Sequence, residues 1–203
     1  MKKNILLVAA TQNEIAPYLQ TNPHHDVLIT GVGMPSSIFR LTRQMVHNHY
    51  DLVVQAGIGG AFAHSFAKAG HVVQVTEDAF GDLGALENGH FNDLQQLQLN
   101  YDPVWLPAKG YETGLPHVKG ISVQTITDHV DIVRTLSDKW KADVESMEGA
   151  AAAYVCLQKQ VPFVQIRAIS NMVGDRNKAH WEIDLAIQNL NQALITLMQQ
   201  QFA

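Results

Sequence analysis

The sequence predicts an α/β fold with a largely parallel or mixed sheet. Two observations carry this prediction: short apolar runs rich in β-branched residues recur between turn residues, and segments with apolar residues at helical spacing separate them. A third observation is the length of 203 residues, which suits one compact domain. We therefore expect a single domain over residues 1–203.

Six apolar runs are predicted as strands, because they are too short for helices and end at turn residues. They cover 5–10, 26–30, 52–56, 72–75, 121–123 and 161–169. The first run follows two lysines, as in a signal peptide, but its six or so apolar residues fall short of the ~7–15 that such a peptide needs. A buried first strand is therefore the favoured interpretation.

Three helices are predicted from apolar residues spaced three or four apart. Pro35 opens the first, since proline suits a first helical turn. Asp143 is expected to cap the second, and the third covers 180–201. Their predicted inward-facing residues are Ile38, Leu41, Met45 and Val46, then Val144, Met147, Ala151, Tyr154 and Val155, then Leu185, Leu190, Leu194 and Leu197.

The segment 81–120 is the least regular part of the chain, with many glycines and prolines and several aromatic residues. A connection of this length inside a compact domain is usually functional, disordered or partly secondary structure. Its aromatic residues suggest that it packs against something. We take residues 105–116 as the candidate contact with a partner subunit.

Composition excludes several classes of protein. The single cysteine, Cys156, rules out a disulfide framework and a cysteine-rich zinc site. A net charge of −5 argues against a nucleic-acid partner. No apolar run approaches the ~20 residues of a membrane span. We expect a cytoplasmic protein with no metal and no membrane partner.

Two glycine patterns follow predicted strands. Gly31-Val32-Gly33 leads into the first helix, where backbone amides could approach an anionic or hydroxyl-rich ligand. Gly57-Ile58-Gly59-Gly60 follows the third strand, at the strand end where α/β proteins bind ligands. For both patterns a structural turn or a close strand contact is the alternative.

Polar residues mark the same strand ends. Glu14 lies just past the first strand, and Asn171 closes the most apolar strand. Glu145 and Glu148 are three apart, which would put them on one face of the predicted second helix. Helix-dipole complementarity is the ordinary explanation of such acids. Taken together, the strand-end residues and Glu148 predict a single site.

These residues carry a family resemblance over most of the chain. The opening strand with Glu14, the two glycine patterns, Met147-Glu148-Gly149-Ala150-Ala151 and the run from Phe163 to Asn171 resemble the purine nucleoside phosphorylase/uridine phosphorylase superfamily. Within it, the nucleosidase branch is most similar, above all the futalosine hydrolases. The resemblance implies a three-layer fold with a partly barrel-like central sheet, no cofactor, and a homodimer or higher homo-oligomer.

The resemblance also implies roles for individual residues in a nucleoside site. Glu148 and the backbone of Met147 would hold the ribose hydroxyls, and Glu14 would activate the attacking water as general base. Asn171 would receive the purine leaving group beside N7. The resemblance also places Gly57, Ile58 and Gly59 under the sugar. From its position after a predicted strand, Thr127 is a candidate for the base pocket, with ordinary turn chemistry as the alternative, and Phe80 is a candidate to reach the base or the 5′ substituent.

Two departures from relatives narrow the prediction. The methylthioadenosine nucleosidases have Asp where this chain has Asn171, and an amide suits a 6-oxopurine better than adenine. The glycine run Gly57–Gly60 has no neighbouring Arg or Lys in sequence to hold phosphate. We therefore predict hydrolysis of futalosine to hypoxanthine, a step of menaquinone biosynthesis. The alternatives are a methylthioadenosine nucleosidase, a nucleoside phosphorylase, or a non-catalytic α/β nucleotide sensor.

Overall fold

The computed structural model describes residues 3–21, 23–99, 102–108 and 110–200. Strands and α-helices alternate along most of the chain, as predicted. In order, they are β1 (Ile5–Ala9), α1 (Ala16–Leu19), β2 (Asp26–Ile29), α2 (Met34–His47), β3 (Leu52–Ala61), β4 (Val72–Phe80), β5 (Gly84–Glu87), β6 (His90–Asp93), β7 (Leu106–Pro107), β8 (His117–Ser122), α3 (Val130–Trp140), β9 (Val144–Ser146), α4 (Gly149–Lys159), β10 (Phe163–Met172) and α5 (Ile183–Gln200). Short 3-10 turns cover Asn13–Ile15 and Lys178–His180.

The central sheet is mixed and partly closed. Its strand order is β10-β4-β8-β9-β3-β1-β2, and β10 also pairs with β3. This extra pairing closes β3, β10, β4, β8 and β9 into a ring, while β1 and β2 extend the sheet beyond it. The predicted α/β class with a partly barrel-like sheet is confirmed.

Strand β3 connects the open and the closed parts of the sheet. Its first half pairs in parallel with β1, and its end pairs antiparallel with β9. The expectation that the third strand ends before Gly57 is wrong, because Gly57–Gly60 continue the strand. A Cβ at Gly59 would lie 2.8 Å from the carbonyl oxygen of Glu145, so glycine lets β9 approach at this point.

Helices cover both faces of the sheet. α2 and α4 pack on one face against β1 and β3, and α5 packs on the other against β1, β3 and β10. In α5, Leu190, Leu194 and Leu197 are buried as predicted, but Leu185 is exposed near the start of the helix. Val46 is also exposed, because the buried stripe of α2 passes through Leu41 and Met45 instead.

The predicted helix beginning at Asp143 is wrong at its start. Val144–Ser146 form strand β9, which fills the gap between β3 and β8, and α4 begins only at Gly149. Pairing with two neighbours buries this short segment and outweighs its local helical pattern. As a result, Glu145 and Glu148 do not share a helical face.

The irregular segment contains structure that its sequence did not reveal. β5 and β6 form a two-stranded hairpin, and β7 pairs with β4. Trp105 packs edge-on against Trp140 of α3 with ring centroids 5.6 Å apart, and Tyr111 packs against the core under α5. The aromatic residues named here thus pack within their own chain. Among the described residues, no helix combines the length and apolar character needed to cross a membrane.

Candidate active site

A cavity of about 560 Å³ opens where β1, β3 and β10 end. Seven of the nine predicted site residues line it: Glu14, Ile58, Gly59, Thr127, Met147, Glu148 and Asn171. Gly57 lies behind this lining. Phe80 does not lie at the cavity, because its ring packs edge-on against Tyr154 and borders a separate groove of about 770 Å³ along α2.

Glu14 is held in place by three hydrogen bonds to its carboxylate. Oε2 accepts from the backbone N–H of Thr11 at 2.8 Å and from its hydroxyl at 3.0 Å. Oε1 accepts from the N–H of Ile58 at 3.2 Å, which ties the acid to β3. Asn191 of α5 donates to the backbone carbonyl of Glu14 at 2.8 Å. The carboxylate is thus fixed at the cavity before any ligand arrives.

Glu148 occupies the N-cap position of α4, with its carboxylate turned toward the cavity. Oε1 accepts from the N–H of Gly33 at 3.0 Å, and Oε2 lies 3.7 Å from Nη1 of Arg167. Burial raises the pKa of Glu148, while the charge of Arg167 and the Gly33 N–H act in the opposite direction. The first glycine pattern therefore has an identified role, since one of its amides holds this carboxylate.

Arg167 is a site residue that the sequence did not reveal. It is 1% exposed on β10, where Nη1 donates to the carbonyl of Ile58 at 3.3 Å. Its Nε and Nη2 find no hydrogen-bond partner among the described residues. The sequence could have indicated it by its place within an apolar strand, because a charged residue is seldom fully buried without a partner.

Gly57 makes room for this arginine. The two residues are partners in the register of β3 and β10, and a Cβ at Gly57 would lie 2.5 Å from Nη1 of Arg167 and 3.1 Å from Oε1 of Glu14. The expectation that no cation lies near Gly57–Gly60 is therefore wrong, because Arg167 is distant in sequence but adjacent in the fold. The Arg167 guanidinium, however, is buried against Glu148.

A buried polar network supports the base of α4. Asp78 accepts from Nε2 of Gln165 at 2.9 Å and from the hydroxyl of Ser122 at 3.1 Å. The same hydroxyl oxygen accepts from the N–H of Ala150 at 2.8 Å. Burial raises the pKa of Asp78 to about 6, although Gln165 and the charge of Arg167 lower it. This network fixes the first turn of α4 and, with it, the position of Glu148.

Asn171 lies at a register irregularity near the end of β10. Its Oδ1 accepts from the hydroxyl of Ser170 at 2.8 Å, and its Nδ2 donates to the carbonyl of Met172 at 2.9 Å. A side-chain amide has two N–H groups and two lone pairs, so one of each remains for a ligand. Asn171 can therefore donate to one ligand atom and accept from another.

Thr127 reaches the cavity from the loop between β8 and α3. Asp82 anchors this loop by accepting from the N–H groups of Gln124 at 2.7 Å and Thr125 at 3.3 Å. The hydroxyl oxygen of Thr127 itself accepts from the N–H of His129 at 3.0 Å. The loop is thus held next to the strand ends, and Thr127 lines the same cavity as Glu14.

The cavity has further polar residues that the sequence analysis did not assign to it. Glu145 of β9 lines it, and burial together with the negative charge of Asp82 raises its pKa to about 7. The loop after β10 contributes Arg176, whose guanidinium lies 4.9 Å from the ring centroid of Trp181. Within the described part of the chain, no group of three His, Cys, Asp or Glu residues is arranged to hold a metal ion.

Sequence comparison places these features in a known group. The family model of the phosphorylase superfamily matches residues 25–199. The futalosine hydrolase of Thermus thermophilus is 28% identical over 216 aligned residues, which cover 95% of this chain and 94% of the relative. The similarity therefore extends over almost the whole length of both proteins.

Structural comparison gives the same fold. A mutant of the Helicobacter pylori nucleosidase MTAN with 5′-methylthioadenosine in its active site matches with a TM-score of 0.83 at 17% identity, covering 98% of this chain and 100% of that chain. The native futalosine hydrolase of Helicobacter pylori matches with a TM-score of 0.80 at 18% identity, covering 98% and 99%. Because the family model spans most of the sequence and the fold agrees, the chain belongs to the phosphorylase superfamily.

Proposed function

We propose that the protein hydrolyses the N-glycosidic bond of futalosine, a 6-oxopurine nucleoside, and releases hypoxanthine. The observation that carries this proposal is the pair of fixed carboxylates, Glu14 and Glu148, facing one cavity that also presents the amide of Asn171. Similarity to the Thermus thermophilus futalosine hydrolase supports the choice of substrate. A place in menaquinone biosynthesis follows from that substrate.

The ribose is held at Glu148. Its carboxylate keeps lone pairs free beyond the hydrogen bond from Gly33 and the ion pair with Arg167, and these accept from the sugar hydroxyls beside the backbone of Met147. Cleavage of a glycosidic bond passes through a sugar with growing positive charge. A fixed negative charge at the hydroxyls stabilises that state more than the ground state. Glu148 thereby contributes to binding and to catalysis.

Glu14 serves as the general base. Both of its oxygens are oriented by N–H and hydroxyl donors, yet the carboxylate lines the cavity next to Ile58 and Gly59, under the proposed sugar. A water between Glu14 and the anomeric carbon gives its proton to the carboxylate as it attacks. The purine departs toward Asn171 with the electron pair of the glycosidic bond and takes a proton on N7 from solvent water. The N–H of Asn171 donates to the 6-oxo oxygen, and its Oδ1 accepts from the resulting N7–H of the leaving base.

Water is the proposed nucleophile in place of phosphate. A phosphate site needs accessible cations. Arg167, the arginine beside Gly57, is 1% exposed with its charge set against Glu148, and Arg176, which lines the cavity, lies over the ring of Trp181. A methylthioadenosine nucleosidase is the second candidate, favoured by the fold shared with the Helicobacter pylori enzyme. Asn171 argues against it, because an amide can donate a hydrogen bond to N7 but cannot transfer a proton to the departing adenine as a neutral Asp can.

The test is direct. Purified protein is incubated with futalosine or 5′-methylthioadenosine, with and without phosphate, and the released bases are separated by chromatography. We expect hypoxanthine from futalosine in phosphate-free buffer, with adenine release at least tenfold slower. Release that requires phosphate would indicate a phosphorylase, and faster release of adenine would indicate the second candidate.

We further propose that residues 1–203 act as one catalytic domain and that the chain forms a homodimer. The groove along α2 supports the second point, since it exposes Phe39 to 65% and continues over Ile38 and Leu83 beside the active-site cavity. Light scattering should give twice the chain mass, and Phe39→Glu should shift it toward the monomer. A monomeric wild type would contradict the proposal.

A cytoplasmic location stays a prediction.

A further inference from the structure

Arg176 is a cation at the active-site cavity to which the reaction described above assigns no task. It lines the cavity from the loop after β10, and its side chain is exposed. Among the described residues that line the cavity it is the only Lys or Arg, and it faces five carboxylic acids: Glu14, Glu145, Glu148, Asp175 and Asp184. A ligand with a negative group therefore meets one favourable position in an otherwise acidic site.

Hydrogen bonds within the loop hold Arg176 in place. The carboxylate of the preceding residue, Asp175, is occupied, because Oδ2 lies 2.7 Å from Nδ1 of His180 and Oδ1 accepts from the N–H of Asn177 at 2.9 Å. The indole N–H of Trp181 donates to the backbone carbonyl of Asp175 at 2.8 Å. The neighbouring acid is thus used to shape the loop and does not neutralise Arg176.

The guanidinium of Arg176 keeps its hydrogen-bond donors for a ligand. It lies 4.9 Å from the ring centroid of Trp181, so the indole covers one face of the planar group. The N–H donors point outward in that plane, and they make no hydrogen bond or ion pair with any residue that the structure describes. A guanidinium held by its face and open at its edge suits a two-point bond to a carboxylate.

The same loop leads into an apolar wall of the cavity. The N–H of Glu182 donates to the carbonyl of Ser170 at 2.8 Å, so the loop returns to the end of β10. Beyond this point Ile183 and Ile187 of α5 line the cavity together with Trp181. The sugar hydroxyls are assigned to Glu148 and the base to Asn171, which leaves this wall for the substituent on C5′ of the nucleoside.

We propose that Arg176 is a specificity-determining residue that binds a carboxylate at the end of the substrate's 5′ substituent. This inference rests on the proposed function, because futalosine has such a group, a carboxyphenyl-oxopropyl chain on its 5′ side. The phenyl ring lies along the apolar wall beside Trp181 and Ile183, and the carboxylate accepts two N–H bonds from Arg176.

The charge of the cavity explains why one cation decides the specificity. A carboxylate that enters among acids is repelled, and a charge-assisted bond to Arg176 offsets this repulsion. An uncharged substituent, such as the methylthio group of 5′-methylthioadenosine, gains nothing from that bond. Specificity is a difference between affinities, so Arg176 favours nucleosides with an anionic 5′ end over neutral ones.

The experiment compares futalosine with its methyl ester, in which the carboxylate is neutral. Both are titrated by calorimetry into Glu14→Gln protein, in which loss of the general base slows turnover. Arg176→Gln is added to this background, with Lys178→Gln as the matched control, because Lys178 is exposed in the same loop but does not line the cavity. We expect the parent and the control to bind the acid at least tenfold more tightly than the ester. Arg176→Gln should bind the two within twofold of each other.

Turnover gives a second measurement, made with Glu14 in place. Arg176→Gln should raise KM for futalosine at least tenfold and leave kcat within threefold, because Arg176 touches the tail and not the reacting bond. The methyl ester should be cleaved with the same kcat/KM by the wild type and Arg176→Gln, within twofold. An equal loss for the acid and the ester would indicate a disturbed loop and would overturn the role of Arg176.

The outcomes separate this inference from the proposed function. If the wild type releases hypoxanthine from futalosine but the preference for the acid survives in Arg176→Gln within twofold, the role of Arg176 is refuted and the function stands. If the wild type cleaves no futalosine, the function fails, and the binding ratio still decides whether Arg176 recognises a carboxylate. Inorganic phosphate is the other anion that suits a guanidinium. Base release that requires phosphate and is lost in Arg176→Gln would assign the arginine to phosphate and overturn the inference.

Discussion

The backbone N–H of Gly33 donates to Oε1 of Glu148 at 3.0 Å, joining two residues that are 115 positions apart in the chain. Gly33 is the N-cap residue of α2 and Glu148 is the N-cap residue of α4. The starts of two helices on the same face of the sheet therefore meet at the proposed ribose site. The carboxylate is oriented by the backbone at the start of one helix, and its own residue stands at the start of the other.

Gly33→Ala tests this contact. Gly33 has φ of 93° and ψ of 157°, a conformation that essentially only glycine adopts, so alanine should cost about 1–3 kcal/mol of stability. It should also move the N–H away from Glu148 and raise KM for the nucleoside at least fivefold. Gly114→Ala is the matched control, because Gly114 has φ of 76° and open space around it. Thermal unfolding and steady-state kinetics would show stability loss in both variants but a KM change in Gly33→Ala alone. The same KM in Gly33→Ala as in the wild type would contradict a role for this contact in nucleoside binding.

Glu14→Gln removes the proposed base while it keeps the side-chain shape. General-base catalysis contributes about 10²–10⁴-fold, so we expect kcat to fall by at least 100-fold. Hypoxanthine affinity, measured by calorimetry, should change less than threefold, because the base contacts Asn171 and not Glu14. If affinity and kcat fall together, Glu14 acts in binding and not as the base.

Arg167 should stabilise the fold mainly through Glu148. Removing one partner of a buried ion pair costs about 3–5 kcal/mol, because the remaining charge is left unpaired. We therefore expect Arg167→Met to lower the free energy of unfolding by about that amount. In a Glu148→Gln background the cost should be smaller by about 1–3 kcal/mol, the coupling found between contacting residues. Urea unfolding of the four proteins tests this, and additivity within 0.5 kcal/mol, roughly the limit for independent sites, would refute the coupling.

Glu145 should lower stability at neutral and higher pH. Its pKa is raised from 4.5 to about 7 in the folded protein, so folding favours the neutral acid. Below pH 4.5 both folded and unfolded chains are protonated and its contribution is fully present. As pH rises toward 7 the unfolded chain ionises first, and the contribution is lost above the folded pKa.

Glu145→Gln should therefore be more stable than the wild type at pH 8, by at most about 3.5 kcal/mol, since the pKa rises from 4.5 to about 7 and one pKa unit corresponds to ~1.4 kcal/mol. The gain should be much smaller at pH 5. Asp78 also has a raised pKa, but it is present in both proteins and cancels in the difference. Thermal unfolding from pH 5 to 8, with Glu87→Gln as control, measures the effect. A difference that does not vary with pH would show that Glu145 is not the titrating group.

Asn171→Asp should change the preference for the leaving base. A neutral Asp donates to N7 and accepts from a 6-amino group, whereas the amide donates to a 6-oxo oxygen. We expect the ratio of kcat/KM for 5′-methylthioadenosine over futalosine to rise at least tenfold. Asn92→Asp, on the hairpin strand β6 and not among the residues that line the cavity, should leave that ratio unchanged. The same ratio in Asn171→Asp as in the wild type would remove this residue from base recognition.

Local pattern was enough to predict most of the framework. β1 and β2 end within one residue of their predicted ends, and both ends of β10 lie within three residues of the prediction. Pro35 lies in the first turn of α2, as predicted. These elements are buried on one or both faces, so their sequences carry the periodicity of the structure. The hairpin β5–β6 escaped prediction, because it buries little of its surface and its alternation signal is weak. α3 also escaped prediction, although Val133, Leu136 and Trp140 recur at helical spacing and the last two are buried.

The sequence by itself determined the fold class and brought Glu14, Glu148 and Asn171 forward as site residues, because strand ends and short motifs are properties of neighbouring positions. The tertiary structure decided which residues meet. In the fold, residues 144–146 form a strand, Arg167 pairs with Gly57, and Glu145 lines the cavity. Pairings between distant strands depend on sheet register and shared burial, and neither is written in the order of adjacent residues.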